Sequence, residues 1–375
     1  MSAGQAQQGR HPVPDPKRAD RQPTDGLPDQ RGLYDPANER DACGVGFVAR
    51  LDGAPHHHVV KDAVQVLINL EHRGAVGGDK ATGDGAGLLL QIPDAFFREP
   101  SVGSEYSLPE PGEYAVGMVF LPARAALAER CMDLLERTAV AEGAEVLGWR
   151  EVPCHGEHLG ELARKAQPRI RQLFLSRGRI PAEAFERKLY VIRRCVEKEA
   201  LAWRLPGVEQ FYVVSLSSRT IVYKGMLTVT QLTVFYPDLS HPAFASSFVV
   251  IHQRYSTNTF PTWSLAQPFR MLAHNGEINT LRGNLNHMRA READLASELF
   301  GEDIEKLKPI LVEGGSDSAI VDNGLELLVA GGRSLPHAAL MMVPEAWGAK
   351  FHSPWKAPRN SRSVVTLPLP SLGPR

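Results

Sequence analysis

Cys43 stands in Asp41-Ala42-Cys43-Gly44-Val45-Gly46-Phe47, where a polar, proline-spotted leader gives way to a run of small and apolar residues. Cysteine is the strongest nucleophile among the uncharged side chains, but a free pKa of about 8.5 leaves only a few per cent as thiolate at neutral pH. It therefore needs a base. Cleavage before Cys43 would supply one, because the new α-amino group, with a pKa of about 8, would sit on the same residue and take the thiol proton directly or through one water. Taken alone, Cys43 is better explained as a small apolar residue opening a core strand.

Two further blocks crowd polar groups at the ends of apolar runs. The first spans His252 to Asn286 and contains His252-Gln253-Arg254-Tyr255-Ser256-Thr257-Asn258-Thr259-Phe260-Pro261-Thr262-Trp263 and His274-Asn275-Gly276-Glu277-Ile278-Asn279-Thr280. Binding groups concentrate where rigid elements hand over to loops, although Asn275-Gly276 alone is a good turn and Arg254 alone a strand-end charge. The second block is Gly314-Gly315-Ser316-Asp317-Ser318-Ala319. It precedes a helical pattern at 320–329, so Ser316 or Asp317 would make an ordinary cap, with a carboxylate welcome at the positive end of the helix.

Other polar clusters carry less chemistry. The glycine-dense stretch from Gly77 to Gly87 lacks a Gly-Lys-Ser/Thr ending and leads into an apolar strand, so it is no phosphate-binding loop. Its glycines are expected to let backbone pass close to a ligand or another strand. His56-His57-His58 reads as a solvated turn, and Cys154, His155 and His158 lack a fourth ligand, so no metal site is expected.

These groups need a folded scaffold, and 375 residues with 43% hydrophobic content can supply a large core. A formal net charge of −1 with mixed signs offers no basic face for nucleic acid. Four scattered cysteines without a Cys-x-x-Cys pair fit neither a disulfide framework nor structural zinc, and favour a reducing cytoplasm. No apolar run approaches the roughly 20 residues that span a bilayer, so neither export nor membrane insertion is expected.

Periodicity places strands over 43–51, 88–92, 114–121, 146–152 and 248–251, with a further strand at Leu189 to Ile192 and a hairpin formed by 209–214 and 220–224. Helices are expected over 123–141, from His158 onward, over 320–329, and after the turn at Asp52-Gly53-Ala54-Pro55, where Val60, Val64, Leu67 and Ile68 share a face. Residues 1–42 are too polar to bury enough surface to order themselves and should form a disordered leader or propeptide.

Cys43-Gly44-Val45-Gly46-Phe47, Glu71-His72-Arg73-Gly74-Ala75, Thr82-Gly83-Asp84-Gly85-Ala86-Gly87, the 252–263 run, the 274–280 run and Gly315-Ser316-Asp317-Ser318 occur in one consistent order. Together they resemble the N-terminal glutamine amidotransferase domain of the glutamate synthase large subunit, over about Asp41 to Trp347. The resemblance implies an α+β, four-layer αββα sandwich of the N-terminal-nucleophile hydrolase type. It implies removal of the leader, attack of Cys43 on the side-chain amide of L-glutamine, release of ammonia and hydrolysis of a thioester. By the same resemblance, Asn275 and Gly276 form the oxyanion hole, Arg254 grips the α-carboxylate, Asp317 the α-ammonium, Thr257 assists them, and Arg73 lies nearby.

Glutamate synthases are several-fold longer, and their later domains hold FMN and an iron–sulfur cluster and deliver the ammonia to 2-oxoglutarate. No cofactor is expected in this chain, and other glutamate synthase domains or subunits are its expected partners. Residues 348–375 contain no acidic side chain and read as an irregular tail foreign to the family, which implies that the amidotransferase domain over 43–347 is truncated. The competing readings are an inactive fragment or glutamine-binding relic, and an amidotransferase serving another acceptor.

Overall fold

The computed structural model describes residues 44–343 except 77, 104–106, 255–259, 276, 277, 279, 280 and 313. The expected leader, Cys43, Thr257, Gly276 and the expected tail over 348–375 therefore lie outside the described residues.

In chain order the strands are β1 (Val45–Ala49), β2 (Ala86–Gln91), β3 (Tyr114–Leu121), β4 (Glu145–Glu151), β5 (Arg169–Ser176), β6 (Tyr212–Ser217), β7 (Thr220–Gly225) and β8 (Phe248–Gln253). The principal helices are α1 (His57–Asn69), α2 (Ala125–Ala141), α3 (Phe185–Ala202), α4 (Leu281–Glu292), α5 (Asp317–Ala330) and α6 (Leu335–Met342). The strands form two antiparallel sheets, ordered β1-β8-β2-β7 and β4-β5-β3-β6. No described helix is long and apolar enough to cross a membrane.

One apolar core joins the sheets and contains Leu88, Leu90, Tyr223, Val249 and Ile251 from the first and Val116, Met118, Phe120 and Phe174 from the second. A second core lies where α2 and α3 cover the other sheet: Leu127, Cys131, Leu134 and Leu135 of α2 meet Leu189, Ile192 and Val196 of α3 beside Val119, Leu173 and Val213. The spacing of these α2 residues puts them on one helical face. β3 is buried along its whole length, and its continuous apolar run follows from having both faces covered.

A buried polar bridge also ties the sheets together. Arg150 of β4 donates to Asp238 from Nη1 at 2.8 Å and Nη2 at 2.7 Å, and the Tyr223 hydroxyl of β7 donates to the same carboxylate at 2.9 Å. Gln172 of β5 completes it, donating to the Tyr223 hydroxyl at 2.8 Å and accepting from Arg150 at 2.8 Å. With Asp238 and Tyr223 buried, these bonds offset the cost of removing charge from water only while every member is present.

Three expectations are corrected. Leu189 to Ile192 lies inside α3, not in a strand. The helix packs on the sheet through one side and on a helical cluster through Tyr190 and Val191 on the other, so its apolar residues run consecutively. The stretch after His158 turns helical only over Glu161–Lys165 before entering β5. Finally, β6 and β7 are consecutive, but β6 pairs with β3 and β7 with β2 in the other sheet, so they form a corner between sheets instead of a ladder.

The glycine-dense stretch packs backbone on backbone, as expected. A Cβ on Gly87 would come within 2.6 Å of the Gln267 carbonyl oxygen, an approach that a side chain would block.

Candidate functional site

β1 and β8 pair antiparallel with Val45 opposite His252, and Gln253 N donates to Gly44 O at 2.7 Å. This register brings the residue following Cys43 to the end of β8, where the chain continues into Arg254. A Cβ on Gly44 would meet Gln253 O at 2.5 Å and Asn275 Oδ1 at 3.0 Å. The Asn275 amide thus lies against the main chain next to Cys43, and glycine is what admits that contact.

Arg254 is 6% exposed, and its N–H donates to Gly85 O at 2.8 Å. Burial pulls the guanidinium pKa down, while the carboxylates of Asp84 and Asp317 push it back up. The structure therefore brings Arg254 and Asp317 into one electrostatic site. Asp84 acts on Arg254 as well; the sequence reading placed it in the 82–87 block without giving it a role, its signal there being a carboxylate set between the glycines Gly83 and Gly85.

Asp317 is the first residue of α5, which Ser316 caps by accepting from Ala319 N at 3.2 Å. The cap satisfies one of the N–H groups that a helix start leaves without intrahelical partners. Asp317 Oδ1 accepts from Ser318 N at 2.6 Å, and Oδ2 accepts from Ile278 N at 2.8 Å. Both oxygens are thereby oriented by main chain.

Arg73 occupies the turn Glu71–Arg73 after α1. Its turn reaches the site through Gln253, whose side chain donates to Glu71 O at 3.3 Å. The segment before Asn275 is fixed from another direction, since the Gln267 side chain donates to His274 O at 3.0 Å and accepts from His274 N at 2.9 Å. His274 Nδ1 lies 3.3 Å from Ser318 Oγ at the start of α5.

Among the described residues, Asn275 thus lies against Gly44, Gln253 links the Glu71–Arg73 turn to the same strand end, and Arg254 follows it under the influence of Asp317. No described group of three or more His, Cys, Asp or Glu side chains is arranged to hold a metal ion.

A family model described as "Glutamine amidotransferases class-II" matches residues 43–357. The chain is 48% identical over 328 residues to the glutamate synthase [NADPH] large chain of Bacillus subtilis (strain 168), covering 87% of this chain and 21% of that protein. It is 45% identical over 359 residues to the glutamate synthase [NADH] of Saccharomyces cerevisiae, covering 88% of this chain and 16% of the other. Against ferredoxin-dependent glutamate synthase 1 of Arabidopsis thaliana it is 42% identical, covering 85% of this chain and 20% of that protein. The chain spans about a fifth of the length of these relatives.

Proposed function

Because the chain belongs to the class-II glutamine amidotransferases, we propose that it performs the glutaminase half-reaction of a glutamate synthase, with Cys43 as its nucleophile. Hydrolysis of the Ala42–Cys43 peptide bond frees the α-amino group, which accepts the thiol proton. The Cys43 sulfur attacks the side-chain amide carbon of glutamine, and the carbonyl electrons move onto oxygen, where Asn275 Nδ2 and the Gly276 N–H stabilise them. As the carbonyl re-forms, the C–N bond breaks and the departing nitrogen takes the proton from the α-ammonium of Cys43, giving ammonia and a thioester. Water then cleaves the C–S bond, yielding glutamate and the free thiol.

The observation that carries this reading is the packing of Asn275 against Gly44, beside a buried Arg254 on which the carboxylates of Asp84 and Asp317 act. An amino acid bears its carboxylate and ammonium on one carbon, so a receptor for it needs a cation and an anion close together. Arg254 takes the carboxylate with its planar guanidinium, Asp317 takes the ammonium, and Thr257 and Arg73 close the amino-acid end. Held there, the amide reaches Cys43, whereas a side chain one methylene shorter misses it. Two antiparallel sheets sharing a core, with α2 and α3 outside one of them, support the four-layer architecture of an N-terminal-nucleophile hydrolase. The ammonia serves 2-oxoglutarate in synthase domains carried by further polypeptide.

The test joins intact-mass measurement to a glutamine hydrolysis assay. A mature chain beginning at Cys43 that releases ammonia from glutamine, and a Cys43→Ala variant that does not, are expected. Undiminished turnover by a chain with its leader intact would overturn the scheme.

A further inference from the structure

Between β8 and α4 the chain runs along the first turns of α5. His274 Nδ1 lies 3.3 Å from Ser318 Oγ, and one turn further along the helix Asp322 Oδ1 accepts the N–H of Met271 at 2.7 Å. Asp322 is fully buried. Its other oxygen lies 3.7 Å from Arg270 Nη1, and Arg270 Nη2 donates to Val213 O of β6 at 2.5 Å and to Glu197 of α3 at 3.3 Å. Glu197 in turn accepts from Arg193 at 2.7 Å, and Arg193 pairs with Glu326, one turn after Asp322 on α5.

A buried ionic cluster of this kind is weak support for stability, because apolar residues of similar volume often serve as well. Met288, Leu325 and Leu328 already form an apolar core around α5, which another apolar residue could have joined. What an apolar residue cannot do is accept the Met271 N–H or pair with Arg270. The carboxylate therefore specifies register: it fixes which residue of the 267–275 segment faces which turn of α5.

We propose that Asp322 is a positioning residue for the amide-hydrolysing site, clamping the segment that ends in Asn275 against the helix that begins with Asp317. The clamp sets the distance between the group at the reacting amide and the group at the substrate's amino-acid end. The proposal rests on the glutaminase reading for its chemistry, while the clamp itself is a property of the fold. Asp322 touches neither the glutamine nor the sulfur and acts through Met271 and Arg270.

The test compares the full chain with Asp322→Ala, Asp322→Asn and Asp322→Leu variants. Amide exchange over 271–275 should accelerate about tenfold or more in Asp322→Ala, the effect of losing one buried hydrogen bond, with β3 exchange unchanged. Labelling of Cys43 by a glutamine-like diazoketone should slow by about the same factor, while labelling by iodoacetamide, which needs no amino-acid grip, stays the same. Asp322→Asn keeps an oxygen acceptor for Met271 and should recover most of both effects. Asp322→Leu fills the space without accepting and should behave as Asp322→Ala, which keeps the comparison intact if the alanine variant fails to fold.

Unchanged exchange in Asp322→Leu, or iodoacetamide labelling slowed as much as diazoketone labelling, would overturn the proposal. A wild-type chain that resists the diazoketone while Asp322→Leu still loosens 271–275 would remove the glutaminase reading and leave the clamp standing.

Discussion

His252 Nε2 lies 3.2 Å from the carbonyl oxygen of His274, joining the end of β8 to the residue immediately before Asn275. The ring is 1% exposed, and burial holds its pKa down at about 3, with the His274 carbonyl opposing that shift. The imidazole is therefore neutral at pH 7 and donates from Nε2.

A stability prediction follows from the sign of that shift. The unfolded chain, with an ordinary histidine pKa near 6.5, binds this proton before the folded chain does as pH falls. The contribution is fully present above about pH 6.5 and is lost progressively toward pH 3, by at most about 1.4 kcal/mol per pH unit. Urea unfolding at pH 7.5 and pH 5 should show the wild type losing more stability than a His252→Gln variant, by about 1–2 kcal/mol. Equal losses in both proteins would contradict the assignment.

Arg254→Lys should separate binding from chemistry. Lysine keeps the charge but not the planar pair of donors, and one lost charge-assisted hydrogen bond corresponds to about 10- to 100-fold in affinity. Steady-state kinetics should show KM for glutamine rising by that order with kcat nearly unchanged. A fall in kcat at constant KM would place Arg254 at the reacting amide instead.

Asn275→Ala should do the reverse. Removing one oxyanion donor lowers kcat by about 100- to 1,000-fold, with little change in KM. Rates within a fewfold of wild type would exclude the Asn275 side chain from the oxyanion site.

Asp238→Ala tests the bridge between the sheets. It leaves Arg150, only 10% exposed at its side chain, without the carboxylate it pairs with, a change that costs about 3–5 kcal/mol when a buried pair is broken. Urea denaturation should report a loss of that order. Replacing Arg150 with Met and Asp238 with Leu together should cost much less, and a double variant as unstable as Asp238→Ala would refute the pairing argument.

Much of the scaffold was legible because local patterning agreed with tertiary burial. β3 coincides with the expected 114–121 strand, and the apolar face expected on α1 is where Val60 and Leu67 are buried. Legibility failed where a helix was buried from two directions. The consecutive apolar residues at the middle of α3 pack against both a sheet and a helical cluster, which removes the helical period. β5 pairs with the preceding β4 on one side and with β3, two strands back, on the other, so its central position depends on a strand that is not its neighbour in sequence.

The residue types settled the chemistry on offer: a cysteine after a polar, proline-spotted stretch, an Asn-Gly pair, a guanidinium at a strand end, and a carboxylate opening a helix. These are properties of side chains and their neighbours, and they need no third dimension to be recognised as candidates. Folding alone decided that Asn275 lies against Gly44, that Asp84 and Asp317 share the field of Arg254, and that Asp322 holds Met271. Each of these contacts joins residues far apart along the chain, so pairing of β1 with β8 and packing beside α5 had to create them.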